Sequence, residues 1–213
     1  MTPPAASVAA RRTHVRRRRG SRRRGGVWVA VGVALAAVAA VMVAPLFQKA
    51  IRELTLPLKD ADIIRQQAAD KHLDPALIAA VIYAETKFDA RTSPTGALGL
   101  MQIEPKTAEF LAHRSGATTF TIRDVATPQV NIAYGSYFLR YLIDRYKGNV
   151  VLALAAYNAG ETNVDRWVAN ARASGRALSA DQIPFPETRA YVSRVLWAQN
   201  EYRRTYGSQL GYG

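Results

Sequence analysis

The chain contains no cysteine, which excludes a disulfide framework and a thiolate metal site. Histidine is nearly as scarce. His14, His72 and His113 are scattered, and no HExxH or EF-hand spacing is present, so no metal and no other cofactor is expected. Alternating apolar and polar strand patterns are missing, as are internal repeats and, outside one basic block, low-complexity segments. What remains is a nearly all-helical domain. Acidic residues are absent from residues 1–26, which hold nine arginines (11, 12, 16–19 and 22–24). This block supplies +9 of the formal net charge of +13, leaving +4 for the rest of the chain. That mild basicity suits an anionic polymer without demanding one.

Charge of either sign is then absent from Val27 to Phe47, a run of 21 residues rich in Val and Ala. As a helix it is long enough to cross a hydrocarbon core of roughly 30 Å. The arginines before it should stay cytoplasmic and send the remainder outward. A cleavable secretory signal is the rival reading, since Ala37-Val38-Ala39 offers small residues to a peptidase. The uncleaved anchor is preferred, because the run exceeds the ~7–15 apolar residues of an ordinary signal core. The Arg block lacks the interleaved aromatics of a nucleic-acid surface. It reads as a topogenic signal in contact with anionic lipid heads, with no nucleic-acid partner.

The rest divides into helices. Asp60 to Lys71 is amphipathic, and Gln48 to about Leu58 connects it to the apolar run. Asp74 is an N-cap and Pro75 suits the first helical position, so a helix is expected to continue to Lys87. Leu77, Ile78, Val81 and Ile82 recur at helical spacing, and Glu85 projects from the same face. A lone acid among hydrophobes is a candidate proton donor, because burial raises its pKa. The bland alternative is a solvated residue where the stripe runs out. Further helices are expected over Glu104 to His113, Pro128 to Lys147, Val150 to Asn158, Asn163 to Ala173 and Pro186 to Tyr206. By pattern alone, Gly96 to Gln102 is a Gly-rich turn and Tyr157 a packing residue. Tyr134, Tyr137 and Tyr141 form a helical stripe that reads as core and rim, not as a sugar-stacking platform.

Three blocks carry more than composition. Leu73 to Phe88 with Ser93 to Gln102, then Asn131-Ile132 through Ala155-Ala156-Tyr157-Asn158-Ala159-Gly160, then Pro184 to Val192 keep one order along the chain. Together they closely resemble the catalytic domain of soluble-type lytic murein transglycosylases. The resemblance implies an all-α, lysozyme-like domain over residues 60–206 with a central glycan-binding cleft. Before it stand a cytoplasmic tail (1–26), one transmembrane helix (27–47) and a linker (48–59), and after it a short tail (207–213). It also implies that Glu85 is catalytic and that Ser93, Met101, Gln102, Tyr157, Asn158 and Tyr191 bind substrate, with Gly96 and Gly99 letting backbone approach the saccharide. The family usually has Ser after its catalytic Glu, where this chain has Thr86, which keeps the hydroxyl.

The implied reaction is cleavage of the β-1,4 bond between N-acetylmuramic acid and N-acetylglucosamine in peptidoglycan, forming a 1,6-anhydro end. Asp89, Glu104, Glu161 and Glu187 are not in family catalytic positions, and a mechanism using one carboxylate needs no second. Two alternatives stay open: a lysozyme-type muramidase on the same scaffold, and a noncatalytic envelope glycan-binding protein. In each reading the domain lies outside the cytoplasmic membrane, where peptidoglycan is found.

Overall fold

Within residues 60–213 two helices are apolar nearly all round, and such helices belong in the interior. In the computed structural model they are α2 (Pro75–Thr86) and α5 (Val150–Ala159), which follow α1 (Ala61–Lys71) and α4 (Pro128–Arg145). The remaining helices within residues 60–213 are α3 (Pro105–Ser115), α6 (Glu161–Ala173) and α7 (Pro186–Tyr206), with 3-10 turns at Ile122–Ala126 and Ala180–Gln182. The structure describes residues 54–213 continuously and, before them, residues 28, 32, 33, 35, 37–44 and 51. The chain divides into two units, 1–51 and 52–213. Of the first, positions 37–44 are helical. Among the described residues no helix is long and apolar enough to cross a membrane. Of the anchor expected over 27–47, residues 27, 29–31, 34, 36 and 45–47 fall outside them, as does the whole basic tail.

In the second unit, α2 packs along α7, and α5 lies between α4, α6 and α7, with α1 against α4. Every residue of α2 from Ala76 to Ile82 is buried. The expected single apolar stripe is therefore a helix enclosed on all sides, and Glu85 lies where that enclosure ends. Asp74 caps α2 as the sequence implies, accepting a hydrogen bond from the Ala76 amide at 2.9 Å. Lys87 and Phe88 turn left-handed (φ 53° and 63°) and stop it.

The chain then makes a two-stranded hairpin, β1 (Arg91–Thr92) against β2 (Leu98–Gly99), with Arg91 opposite Gly99. Two-residue strands are too short to show alternation in the sequence. The tail expected after Tyr206 also packs back on the domain. Leu210 is buried, and the Tyr212 hydroxyl bonds to Asp74 at the start of α2. Gln199 and Arg203 meet the same carboxylate. The linker end is held too, because Tyr206 donates to the Leu56 carbonyl at 2.8 Å and Tyr202 to Pro57 at 2.5 Å.

Candidate active site

The last turn of α2 carries the site. Thr86 is buried, and its hydroxyl lies 3.2 Å from the Ile82 carbonyl and 2.8 Å from that of Leu100. The hydroxyl retained at this position thus ties the helix end to the Gly99–Gln102 turn. Arg91 holds the other side, its guanidinium donating to the Glu85 carbonyl at 2.9 Å and the Thr86 carbonyl at 3.5 Å. These are carbonyls the helix leaves unpaired at its C-terminus. Gln102 sits left-handed (φ 49°) and donates through Nε2 to the carbonyls of Arg91 (2.9 Å) and Gly99 (2.8 Å). Hairpin, turn and helix end are one bonded unit.

Asn131 of α4 fixes that unit from below. Fully buried, it accepts from the Met101 amide at 2.7 Å and donates to the carbonyls of Leu98 (2.8 Å) and Val125 (2.9 Å). Gly99 (φ 73°) exists for this contact, because a Cβ there would lie 2.3 Å from Asn131 Nδ2. Its missing side chain admits Asn131, not a saccharide. Met101 is likewise turned inward. It is fully buried against Gly135, where a Cβ would lie 2.3 Å from its sulfur. The expectation that Met101 lines the cleft is corrected: its side chain is core and Met101 is not in the cavity wall, while its carbonyl accepts from the Tyr157 hydroxyl at 2.9 Å.

Above this floor opens a cavity of about 420 Å³, lined by Glu85, Ser93, Gln102, Tyr157 and Asn158 among others. Tyr191 is not in its wall but is buried behind Glu85. Ser93 Oγ receives the Ala97 amide at 2.9 Å and lies 2.8 Å from Thr95 Oγ1. With both Nε2 hydrogens of Gln102 engaged, its amide oxygen is the group left for a ligand. The Asn158 side chain is exposed and has no hydrogen-bond partner among the described residues, so it keeps both functions. Sequence reasoning missed Thr95, Thr107 and Phe138 and set Glu104 aside, and all four also line the cavity. Phe138 adjoins the Tyr stripe on α4 and packs on the Tyr157 ring at 5.3 Å, so helical spacing from Tyr134 and Tyr141 was the available signal. Glu104, at the N-cap of α3, is an exposed second carboxylate on the wall.

Burial raises the Glu85 pKa from 4.5 to about 7, partly opposed by the Tyr191 hydroxyl, Arg194 and Arg91, each of which favours the ionised form. The Tyr191 hydroxyl acts at close range, though its geometry falls short of an ordinary hydrogen bond, and it has no other partner. Burial and the nearby Glu85 in turn push the Tyr191 and Tyr157 phenols well up, so both stay neutral donors. Glu85 is thus a carboxyl that can hold or release a proton near neutrality. No cluster able to hold a metal occurs among the described residues.

A helical domain opened by a polar cleft, with one proton-holding carboxyl at its floor, is lysozyme-like in kind. Similarity to known proteins narrows that class. The chain belongs to the transglycosylase SLT domain family, matched over residues 62–179. It is 31% identical over 160 residues to the soluble lytic murein transglycosylase of Escherichia coli K12, covering 74% of this chain and 25% of that protein. The structure of an inactive glutamate-to-glutamine mutant of lytic transglycosylase Slt from Pseudomonas aeruginosa superimposes with TM-score 0.68 at 30% identity, covering 74% of this chain and 26% of that one. A membrane-bound lytic murein transglycosylase F 2 of Alkalilimnicola ehrlichii is 29% identical over 157 residues, 69% of this chain and 31% of that protein. The chain therefore spans about a quarter of the length of the first two.

Proposed function

We propose that the domain is a peptidoglycan lytic transglycosylase that cuts the β-1,4 bond between N-acetylmuramic acid and N-acetylglucosamine and leaves a 1,6-anhydro end. The observation that carries this reading is Glu85, a carboxyl at the floor of a polar cleft with its pKa raised to about 7. Protonated Glu85 donates to the glycosidic oxygen as the bond to the muramoyl carbon breaks. The 2-acetamido group of the same sugar stabilises the cationic centre, oriented by Asn158 and the amide oxygen of Gln102. Ionised Glu85 then takes the proton of the C6 hydroxyl, whose oxygen closes onto the anomeric carbon. One residue serves as acid and then base because the nucleophile is already tethered to the reacting ring.

Tyr191 supports the second step, since its phenol favours the ionised carboxyl. Tyr157 and Ser93 contribute polar wall, and Tyr157 also holds the Met101 carbonyl. The inactive glutamate-to-glutamine mutant of the Pseudomonas relative supports an essential carboxyl in the family. For the amino-terminal segment the reading is a cytoplasmic tail over 1–26 and a membrane anchor over 27–47, with the domain outside. The uncharged run and the preceding arginines support it, as does the existence of a membrane-bound relative. Digestion of purified murein with the full chain tests the activity: the released muropeptides should be one water lighter than muramidase products. Products of full hydrolytic mass would make the protein a muramidase.

A further inference from the structure

The tyrosine stripe of α4 is rim and not core. Tyr134, Tyr137 and Tyr141 are each only half-buried. They line two hollows, of about 450 and 540 Å³, that share Arg114 and Tyr137 and so form one groove. Glu85 borders neither. The seven residue steps from Tyr134 to Tyr141 rise roughly 10 Å along the helix. On the facing side α3 brings Phe110, exposed and 5.5 Å from the Tyr141 ring, and Arg114, whose guanidinium lies 5.1 Å over that ring. Lys71 at the end of α1 closes the far end.

The charges of the groove sort into used and unused. Arg140 is paired with Asp144, and Arg145 with Glu161 and Asp165. Arg114 and Lys71 have no carboxylate partner among the described residues. Aromatic faces with two unpaired cations suit a ligand that offers apolar ring faces and negative charge together. A chain of pyranose rings bearing carboxylates has both. We infer that this groove is a second glycan-binding site, taking a carboxylate-bearing glycan strand with its rings on Tyr134 and Tyr137 and its acidic groups toward Arg114 and Lys71. The inference rests on the murein reading of the domain. Because Phe138 of α4 lines the catalytic cleft while Tyr137 lines the groove, one helix is the wall of both, and a strand held in the groove keeps the domain on the polymer between cuts.

The test separates holding from cutting. Full-length Glu85→Gln protein, with and without Arg114→Ala and Tyr137→Ala, is sedimented with insoluble murein and, separately, with neutral chitin. The double change is expected to weaken murein binding roughly tenfold and to abolish the preference for murein over chitin. Arg114→Lys with Tyr137→Phe should bind as the parent does. In the chain with Glu85 intact, the same alanine pair should turn over a soluble murein tetrasaccharide at the parental rate. Unchanged sedimentation overturns the inference, and so does a parallel loss of binding and tetrasaccharide turnover or of the folded circular-dichroism spectrum. So does Arg114-dependent binding confined to anionic lipid vesicles. A parental chain that binds murein through the groove but never cuts the tetrasaccharide would instead refute the proposed activity.

Discussion

Glu85 titrates near 7 where an exposed glutamate titrates near 4.5, and the difference acts on stability as well as on proton transfer. The unfolded chain gives up this proton first, so the fold loses stability as pH rises from 4.5 through 7. The cost is absent below that window and complete above it. Glu85→Gln removes the cost, so at about pH 8 the variant should be more stable than the native chain by on the order of 3 kcal/mol, with no gain at about pH 4. Calorimetry at the two pH values checks this, and a gain of equal size at both would show that desolvation is not the cause. The same variant should have no turnover, because an amide cannot donate and recover a proton. Native turnover should fall as pH rises above about 7 and the acid form is depleted. Asn158→Ala should lower turnover of a soluble tetrasaccharide by on the order of 3 kcal/mol in the transition state. Tyr134→Phe should leave it nearly unchanged. A larger loss at Tyr134 than at Asn158 in that assay would mean that the cleft has been assigned to the wrong wall.

At the scale of elements, what the sequence made legible was the helices and what it hid was the bonding between them. Asp74-Pro75 announces α2, and the apolar content of α2 and α5 announces burial. Glu85 stands out as the acid among those residues. Nothing local announces that Asn131, thirty residues beyond Met101, reaches back to hold its amide, or that Gly99 is small for Asn131's sake. These are long-range contacts, invisible to spacing and propensity. The inward turn of Met101 follows from the same fact, since pinning the backbone at 98–101 decides which way its side chain points. Asn131→Ala removes three hydrogen bonds and leaves buried groups unsatisfied, so it should destabilise the domain by about 2–4 kcal/mol. Turnover at a temperature where the variant is still folded should fall as well, because the turn holding Gln102 loosens. Chemical denaturation with parallel assays measures both, and a loss below about 0.5 kcal/mol would contradict the role given to Asn131.

For the whole molecule, the proposed orientation has the amino terminus inside and the cleft outside, on the side where peptidoglycan lies, because nine arginines precede the uncharged run. A reporter active only in the cytoplasm, fused to the carboxyl end, should therefore give no signal, and a strong signal would separate the domain from its substrate. In the proposed reaction Glu85 directs the substrate's own C6 hydroxyl, not water, to the anomeric carbon. Digestion of murein in heavy-oxygen water tests it most directly. Anhydro muropeptides free of the label are predicted, because no water oxygen enters the bond that forms. Products carrying one heavy oxygen at the new muramoyl end would contradict the account and make water the nucleophile.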